Sequence, residues 1–320
     1  MAFFQRGYVY CTIACSSLLF ILSCIFIMHL KGSYRVPLDD ERWVAVVLQY
    51  QLGNQLWVLA SSYGIARARN AHWCAVQGSW HSYTRDLEWP SVLPPVECPG
   101  VSWGIPVVMD TWYMSAFTNV HNNYMWATYT GDVFLNASAQ HAYMDGLLQS
   151  FKYFDPITPV PFRLKQTTRA HAWVAARNAT VAIHIRRGDQ LDRVGIRIPP
   201  LDYYRRALRL LRTLFPAQAF VVVVATDDPG WVRAQLLFRG MYVLSSHDPA
   251  FDMAVISQCR HKIISIGTFG WWGAYLSDPG HNRSNAVIYP MPQTRNDTGG
   301  GFTEADYFPA HWTRIDYSKP

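Results

Sequence analysis

Four short runs hold the side chains that could do chemistry. The densest is His184-Ile185-Arg186-Arg187-Gly188-Asp189, which closes an apolar stretch at 180–185 and gathers a histidine, two arginines and a carboxylate in one loop. Guanidinium forks suit phosphates and carboxylates, so Arg186 can grip a pyrophosphate bidentately and stabilise charge on a departing phosphate. Asp189 can orient an arginine or stand near an acceptor, and Gly188 permits close backbone approach. The same residues fit a structural arrangement equally well, with Arg186 or Arg187 paired to Asp189 and His184 packed in a sheet.

The second run is Ala225-Thr226-Asp227-Asp228-Pro229-Gly230. Asp227 can accept hydrogen bonds from a nucleotide base or sugar, whereas Asp228 before a proline reads as a helix N-cap. Two adjacent aspartates are a weak sign of a divalent metal. The third, Ser265-Ile266-Gly267-Thr268-Phe269-Gly270-Trp271-Trp272, has glycines and a hydroxyl that can offer backbone N–H groups to phosphate at a helix start. Its glycines also suit a plain turn, and its tryptophans read as core. The fourth is Gly53-Asn54-Gln55, where Asn54 can face a ligand or act as an N-cap.

These runs need a scaffold that brings them together. Residues 43–48 read as a strand, 51–55 as a turn and 56–68 as a helix; 70–106, rich in Trp, Pro, Ser and Gly, shows no sustained period and reads as irregular connections. Further on, strands are expected at 180–185, 219–225, 241–244, 263–266 and 286–289, with helices at 202–215 and 230–238. The helix at 202–215 has a cap candidate in Asp202, an apolar stripe of Tyr204, Leu208, Leu211 and Phe215, and solvated arginines at 205, 209 and 212. Alternating strands and helices imply parallel sheets, which bind ligands beyond the carboxyl ends of their strands. Two such halves, with Pro156, Pro159 and Pro161 marking a linker, would put the ligand in the cleft between them.

Composition sets the outer bounds. The chain has 320 residues, half of them hydrophobic and 16% charged, which excludes a disordered acidic tail, a coiled coil and a small disulfide scaffold. At roughly 150 residues per domain, about two domains are expected. The net charge of +6 comes with only five lysines among 28 basic residues and with no dense basic run, so it points to local anion binding and away from nucleic acid. Residues 8–30 contain no Asp, Glu, Lys or Arg and are long enough to cross a bilayer core of about 30 Å. No small-x-small cleavage site follows, so an uncleaved anchor is expected. Sequons at Asn136, Asn178, Asn282 and Asn296 all lie after this span, as a lumenal C-terminal bulk requires. Beyond the span stand Cys74, Cys98 and Cys259, an odd set in which a Cys74 to Cys98 bridge is one possibility, and no Cys-x-x-Cys pair suggests zinc.

Taken together, the chain resembles the galactoside alpha-1,2-L-fucosyltransferases, the blood-group H-type family. The resemblance rests on Leu52-Gly53-Asn54-Gln55, the hexapeptide ending at Asp189, Tyr203-Tyr204-Arg205-Arg206-Ala207-Leu208, and Ser257-Gln258-Cys259-Arg260-His261 running into Ile266 through Leu276. It covers about residues 43–290. The His-x-Arg-Arg-x-Asp element is shared with alpha-1,6 and protein O-fucosyltransferases and indicates fucosyl transfer broadly; the match over 258–276 narrows it to alpha-1,2. The element at 225–229 looks more like that of the alpha-1,6 enzymes, and 70–150 offers no comparable match.

This resemblance implies an α/β, GT-B-like fold, two Rossmann-type domains facing a cleft, preceded by one N-terminal transmembrane helix. The corresponding segments are a tail (1–7), an anchor (8–30), a stem (31–42), an acceptor-side domain (43–165) and a GDP-fucose-binding domain (170–312). It implies inverting transfer of fucose from GDP-fucose to the 2-hydroxyl of a terminal beta-galactoside on glycoproteins or glycolipids. No metal or cofactor is implied, and the setting is a single-pass type II Golgi membrane protein. The catalytic candidates are Arg186, His184 and Asp189. Gly53, Asn54, Arg186, Arg187, Asp227, Thr268, Phe269 and Gly270 are the donor-binding candidates. The alternatives are another fucosyl linkage or acceptor, or an inactive glycan-binding protein that kept the fold.

Overall fold

The computed structural model of the chain describes residues 42–48, 51–77, 85–90, 96–102, 112–113, 142–144, 147–155, 160–191, 196–236, 240–244, 247–277, 285–293 and 302–319. The span 8–30, Asn136, Asn282, Asn296, Pro156 and Pro159 lie outside these residues. Among the described residues no helix is long and apolar enough to cross a membrane.

The first sheet is parallel. Strand β1 (Trp43–Val46) pairs with β2 (His72–Gln77) on one side and β6 (Ala142–Met144) on the other, while β4 (Val96–Ser102) and β5 (Trp112–Tyr113) form the edges, in the order β4-β2-β1-β6-β5. Helix α1 (Leu52–Ala68) follows β1. It starts earlier than the sequence suggests: Gln51 is extended, and Gly53, Asn54 and Gln55 lie in the first helical turn, so none of them forms a loop and Asn54 is not the N-cap. Strands β2 and β4 also correct the reading of 70–106 as irregular. Their sequences mix Trp, Cys, Pro and Gly and show no alternation, because parallel strands need no polar face. Cys74, in β2, is disulfide-bonded. A short antiparallel pair joins β3 (Leu87–Glu88) to β7 (Arg163–Leu164).

The second sheet, also parallel, contains β8 (Val181–Ile185), β9 (Val222–Thr226), β10 (Met241–Val243), β11 (His261–Ile263), β12 (Val287–Met291) and β13 (Thr313–Asp316), in the order β10-β9-β8-β11-β12-β13. All five residues of β8 are buried, which explains its Val/Ala/Ile run, interrupted by His184 alone. The helices are α2 (Thr167–Ala175), α3 (Leu201–Leu214), α4 (Pro229–Gln235), α5 (Pro249–Gln258), α6 (Thr268–Tyr275) and the short α7 (Glu304–Tyr307). In α3 the expected stripe of Tyr204, Leu208 and Leu211 is buried and Arg205, Arg209 and Arg212 are exposed. Its N-cap is Pro200, however; Asp202 lies in the first turn and pairs with Arg209 at 3.6 Å.

Each sheet order reverses direction once, between β1 and β6 in the first sheet and between β8 and β11 in the second. Ligands of open parallel sheets bind at such reversals, outside the carboxyl strand ends. The two reversals face one another through α1 and α6. One hydrophobic core runs across both sheets, from Val44 and Val46 through Trp57, Trp271 and Trp272 to Val223 and Tyr289. The two tryptophans of α6 are therefore core, as their sequence context suggests.

Candidate active site

The arginine loop emerges from β8 at the reversal of the second sheet. Arg186 Nε and Nη2 grip Asp189 Oδ1 and Oδ2, each at 2.8 Å, and Nε lies 3.2 Å from Asp227 Oδ2. Asp227, at the end of β9, also accepts the backbone N–H of Arg187 at 2.8 Å, so one carboxylate clasps both the loop's backbone and its guanidinium. Among the described residues these bonds use Nε and one Nη2 proton, leaving both Nη1 protons and the second Nη2 proton as donors. Arg187 turns away, with Nε 3.4 Å from Asp228 Oδ2 and its guanidinium 4.5 Å from the Trp231 ring centre. Asp228 caps α4 as expected, accepting the Trp231 N–H at 3.0 Å. Both structural and ligand readings of the hexapeptide are thus compatible: the arginines are paired, yet Arg186 keeps donors free for an anion.

His184 is buried, 4% exposed, and its Nδ1 has no hydrogen-bond partner. Burial, followed by the neighbouring Arg186 charge, pushes its pKa down to about 3, so the imidazole is neutral at pH 7 and a weak proton acceptor. Its ring lies 5.5 Å from that of Phe269, and a Cβ on Gly270 would collide with it, which explains the glycine on that face of α6.

The start of α6 lies after β11, on the other side of the same reversal. Gly267 precedes it at φ 86°, a left-handed conformation suited to glycine, and no side chain caps the first turn. Helix α1 reaches this point from the first sheet: a Cβ on Gly53 would stand 2.6 Å from Thr268 Oγ1 and 2.9 Å from the Thr268 carbonyl carbon. Asn54 Oδ1 accepts from Thr268 Oγ1 at 3.0 Å and from Gln149 Nε2 at 2.9 Å. Both helices therefore start without a side-chain cap at one junction between the two sheets, and their dipoles favour negative charge in the crevice expected there.

The structure thus brings Arg186, Asp189 and Asp227 into one cluster, His184, Phe269 and Gly270 into a second beside it, and Gly53, Asn54 and Thr268 into a third. Sequence reasoning missed Gln149, which no motif contains. Among the sequon residues, Asn178 is described: it is exposed, at φ 50°, on the turn entering β8 at the sheet end opposite the arginine loop. Cys259 is buried and free, and burial pushes its thiol up to about 12. Among the described residues no three His, Cys, Asp or Glu side chains gather as a metal-ligand group.

Comparison with known proteins places this geometry. The galactoside 2-alpha-L-fucosyltransferase of Caenorhabditis elegans is 25% identical over 88% of this chain and 82% of its own length. Galactoside alpha-(1,2)-fucosyltransferase 2 of Bos taurus is 35% identical over 30% of each chain, and the O-antigen biosynthesis glycosyltransferase WbnK of Escherichia coli is 31% identical over 31% of this chain and 34% of its own. The fold is similar to that of the fucosyltransferase NodZ from Bradyrhizobium, with a TM-score of 0.50 at 15% identity, covering 75% of this chain and 95% of that one. Residues 115–315, which include the second sheet up to Ile315 and the loops carrying Arg186, Asp227 and Thr268, match the model of glycosyl transferase family 11, and the chain belongs to that family.

Proposed function

We propose that the chain is an inverting galactoside 2-alpha-L-fucosyltransferase with a GT-B-like fold, using GDP-fucose as donor and needing no metal. The observation that carries this reading is the position of Arg186, fixed by two carboxylates with three N–H donors to spare, beside two uncapped helix starts. Family membership and the long match to the C. elegans enzyme support the transfer and its linkage.

Breaking the bond from fucose to phosphate moves negative charge onto GDP while the sugar becomes oxocarbenium-like. Donors already held in place stabilise that change more than they stabilise the ground state. Arg186 supplies the cation at the departing pyrophosphate, and the first-turn N–H groups of α6 supply dipoles. Asp189 and Asp227 hold the guanidinium still, while His184 and Phe269 form a dry wall behind it. Asn54 meets the donor from the opposite sheet. The apolar span at 8–30, the sequons beyond it and the disulfide at Cys74 support a type II membrane protein with its catalytic part in the oxidising Golgi lumen.

The test uses the full chain with GDP-fucose, a beta-galactoside acceptor and EDTA, with the product linkage determined. An alpha-1,2 product that survives chelation, and whose rate of formation falls roughly 100- to 1,000-fold in Arg186→Ala, is expected. A product of another linkage, or an Arg186→Ala variant of undiminished rate, would reject the reading.

A further inference from the structure

Gln149 lies after β6, at the reversal of the first sheet, 95 residues from Asn54 in sequence. It is 3% exposed, and its position is tightly fixed. Leu148 before it adopts φ 46°, unfavourable for leucine, and its carbonyl accepts Ser61 Oγ from α1 at 2.8 Å. Ser150 after it donates to the Asp306 carbonyl in α7 at 2.7 Å. Backbone strain is thus held by clamps on both sides, and its effect is to aim one buried amide at Asn54.

Asn54 Oδ1 accepts two hydrogen bonds, from Gln149 Nε2 and Thr268 Oγ1, which fills both lone pairs. Its Nδ2 meets no hydrogen-bond partner among the described residues, and Asn54 is partly exposed. A primary amide that turns over exchanges donors for an acceptor with almost no change of shape. Left to itself, Asn54 would offer an anion either a favourable N–H pair or a repelling oxygen. Two donors on Oδ1 remove the second choice.

We infer that Gln149 is a positioning residue for the donor phosphate, locking the Asn54 amide so that its N–H pair faces the crevice. The inference rests on reading that crevice as the GDP-fucose site. Gln149 does not itself touch the donor; it acts through Asn54, in concert with Thr268 from the other sheet. The consequence is that its removal weakens donor binding only where Asn54 is present to be misoriented.

The experiment is a double-mutant cycle in the full 320-residue chain. Gln149→Met keeps the volume and removes the donor; Gln149→Glu keeps the shape and, when ionised, only accepts, supplying the same comparison where the methionine variant fails to fold. Each is expected to raise the KM for GDP-fucose about fivefold, with kcat and the acceptor KM nearly unchanged, as befits one oriented hydrogen bond. In an Asn54→Ala background the same substitutions are expected to leave the donor KM unchanged. Equal penalties in both backgrounds, or none with Asn54 present, would overturn the inference while leaving the donor site intact. An unsubstituted chain that folds but neither binds nor uses GDP-fucose would overturn the reading of the crevice and this inference with it.

Discussion

His184 and Arg186 stand two residues apart on one strand end and receive opposite treatment from the fold. Arg186 is held by two carboxylates, Asp189 at 2.8 Å and Asp227 at 3.2 Å. His184 is driven neutral by burial, with its Nδ1 unpartnered. Because its folded pKa, about 3, lies below the ordinary histidine value, the unfolded chain binds the proton more readily. Its contribution to stability is therefore complete above about pH 6.5 and is lost progressively as pH falls from there toward 3. Urea unfolding followed by tryptophan fluorescence is expected to show stability falling by up to about 2 kcal/mol from this residue between pH 7 and 5. His184→Gln, which cannot titrate, is expected to flatten that part of the profile. An unchanged slope in the variant would show that the imidazole is not the group responsible.

At the scale of elements, α4 is held by one aspartate with two tasks: Asp228 caps the helix through Oδ1 and meets Arg187 through Oδ2. Asp228→Ala is expected to cost about 1 kcal/mol in thermal or urea unfolding. Asp228→Asn, which can still cap, is expected to recover most of that, because the pairing with Arg187 is long and partly exposed. Equal losses in both variants would instead place the value in the charge pair. The cap was legible because Asp-Pro at a strand's end has a single local meaning. The apolar runs of β8 and β9 and the stripe of α3 were also legible, since burial on both faces of a sheet leaves a continuous apolar run and burial on one helix face leaves a periodic stripe. The start of α1 was not, because Leu52-Gly53-Asn54-Gln55 carries a turn signal that is overridden once Gly53 must lie against Thr268. Strands β2 and β4 gave no pattern, because His72 and Gln77 in one and Glu97, Pro99 and Gly100 in the other interrupt the apolar run that marks β8 and β9. Gln149 was invisible for a related reason: its two important neighbours, Asn54 and the strained Leu148, acquire meaning only when the sheet reversals meet.

The whole molecule joins its two sheets by more than a crevice. The Trp57 ring of α1 lies 4.1 Å from Trp271 and 5.4 Å from Trp272, centre to centre, and Phe154 stacks on Trp272 at 5.8 Å. Trp271 Nε1 donates to the Tyr307 carbonyl at 2.8 Å, while Lys152 Nζ reaches Asp306 at 2.6 Å, so α7 ties the end of the second sheet back to the first. Two Rossmann-like units joined by a loose linker would unfold in separate steps, the ordinary behaviour of multidomain chains. A shared aromatic core removes that independence, since neither half can open without exposing the tryptophans of the other. We therefore expect the full chain to lose tryptophan burial and GDP binding at one urea midpoint. Trp57→Ala, which empties the centre of that core, is expected to lower both midpoints together and to cost about 3–5 kcal/mol. Were the variant to unfold in two steps, with GDP binding surviving the first, Trp57 would be the joint that couples otherwise separable halves. Two steps in the unsubstituted chain would show that the aromatic contact does not couple the sheets, and the geometry between them would then depend on polar contacts such as Asn54–Thr268 and Lys152–Asp306.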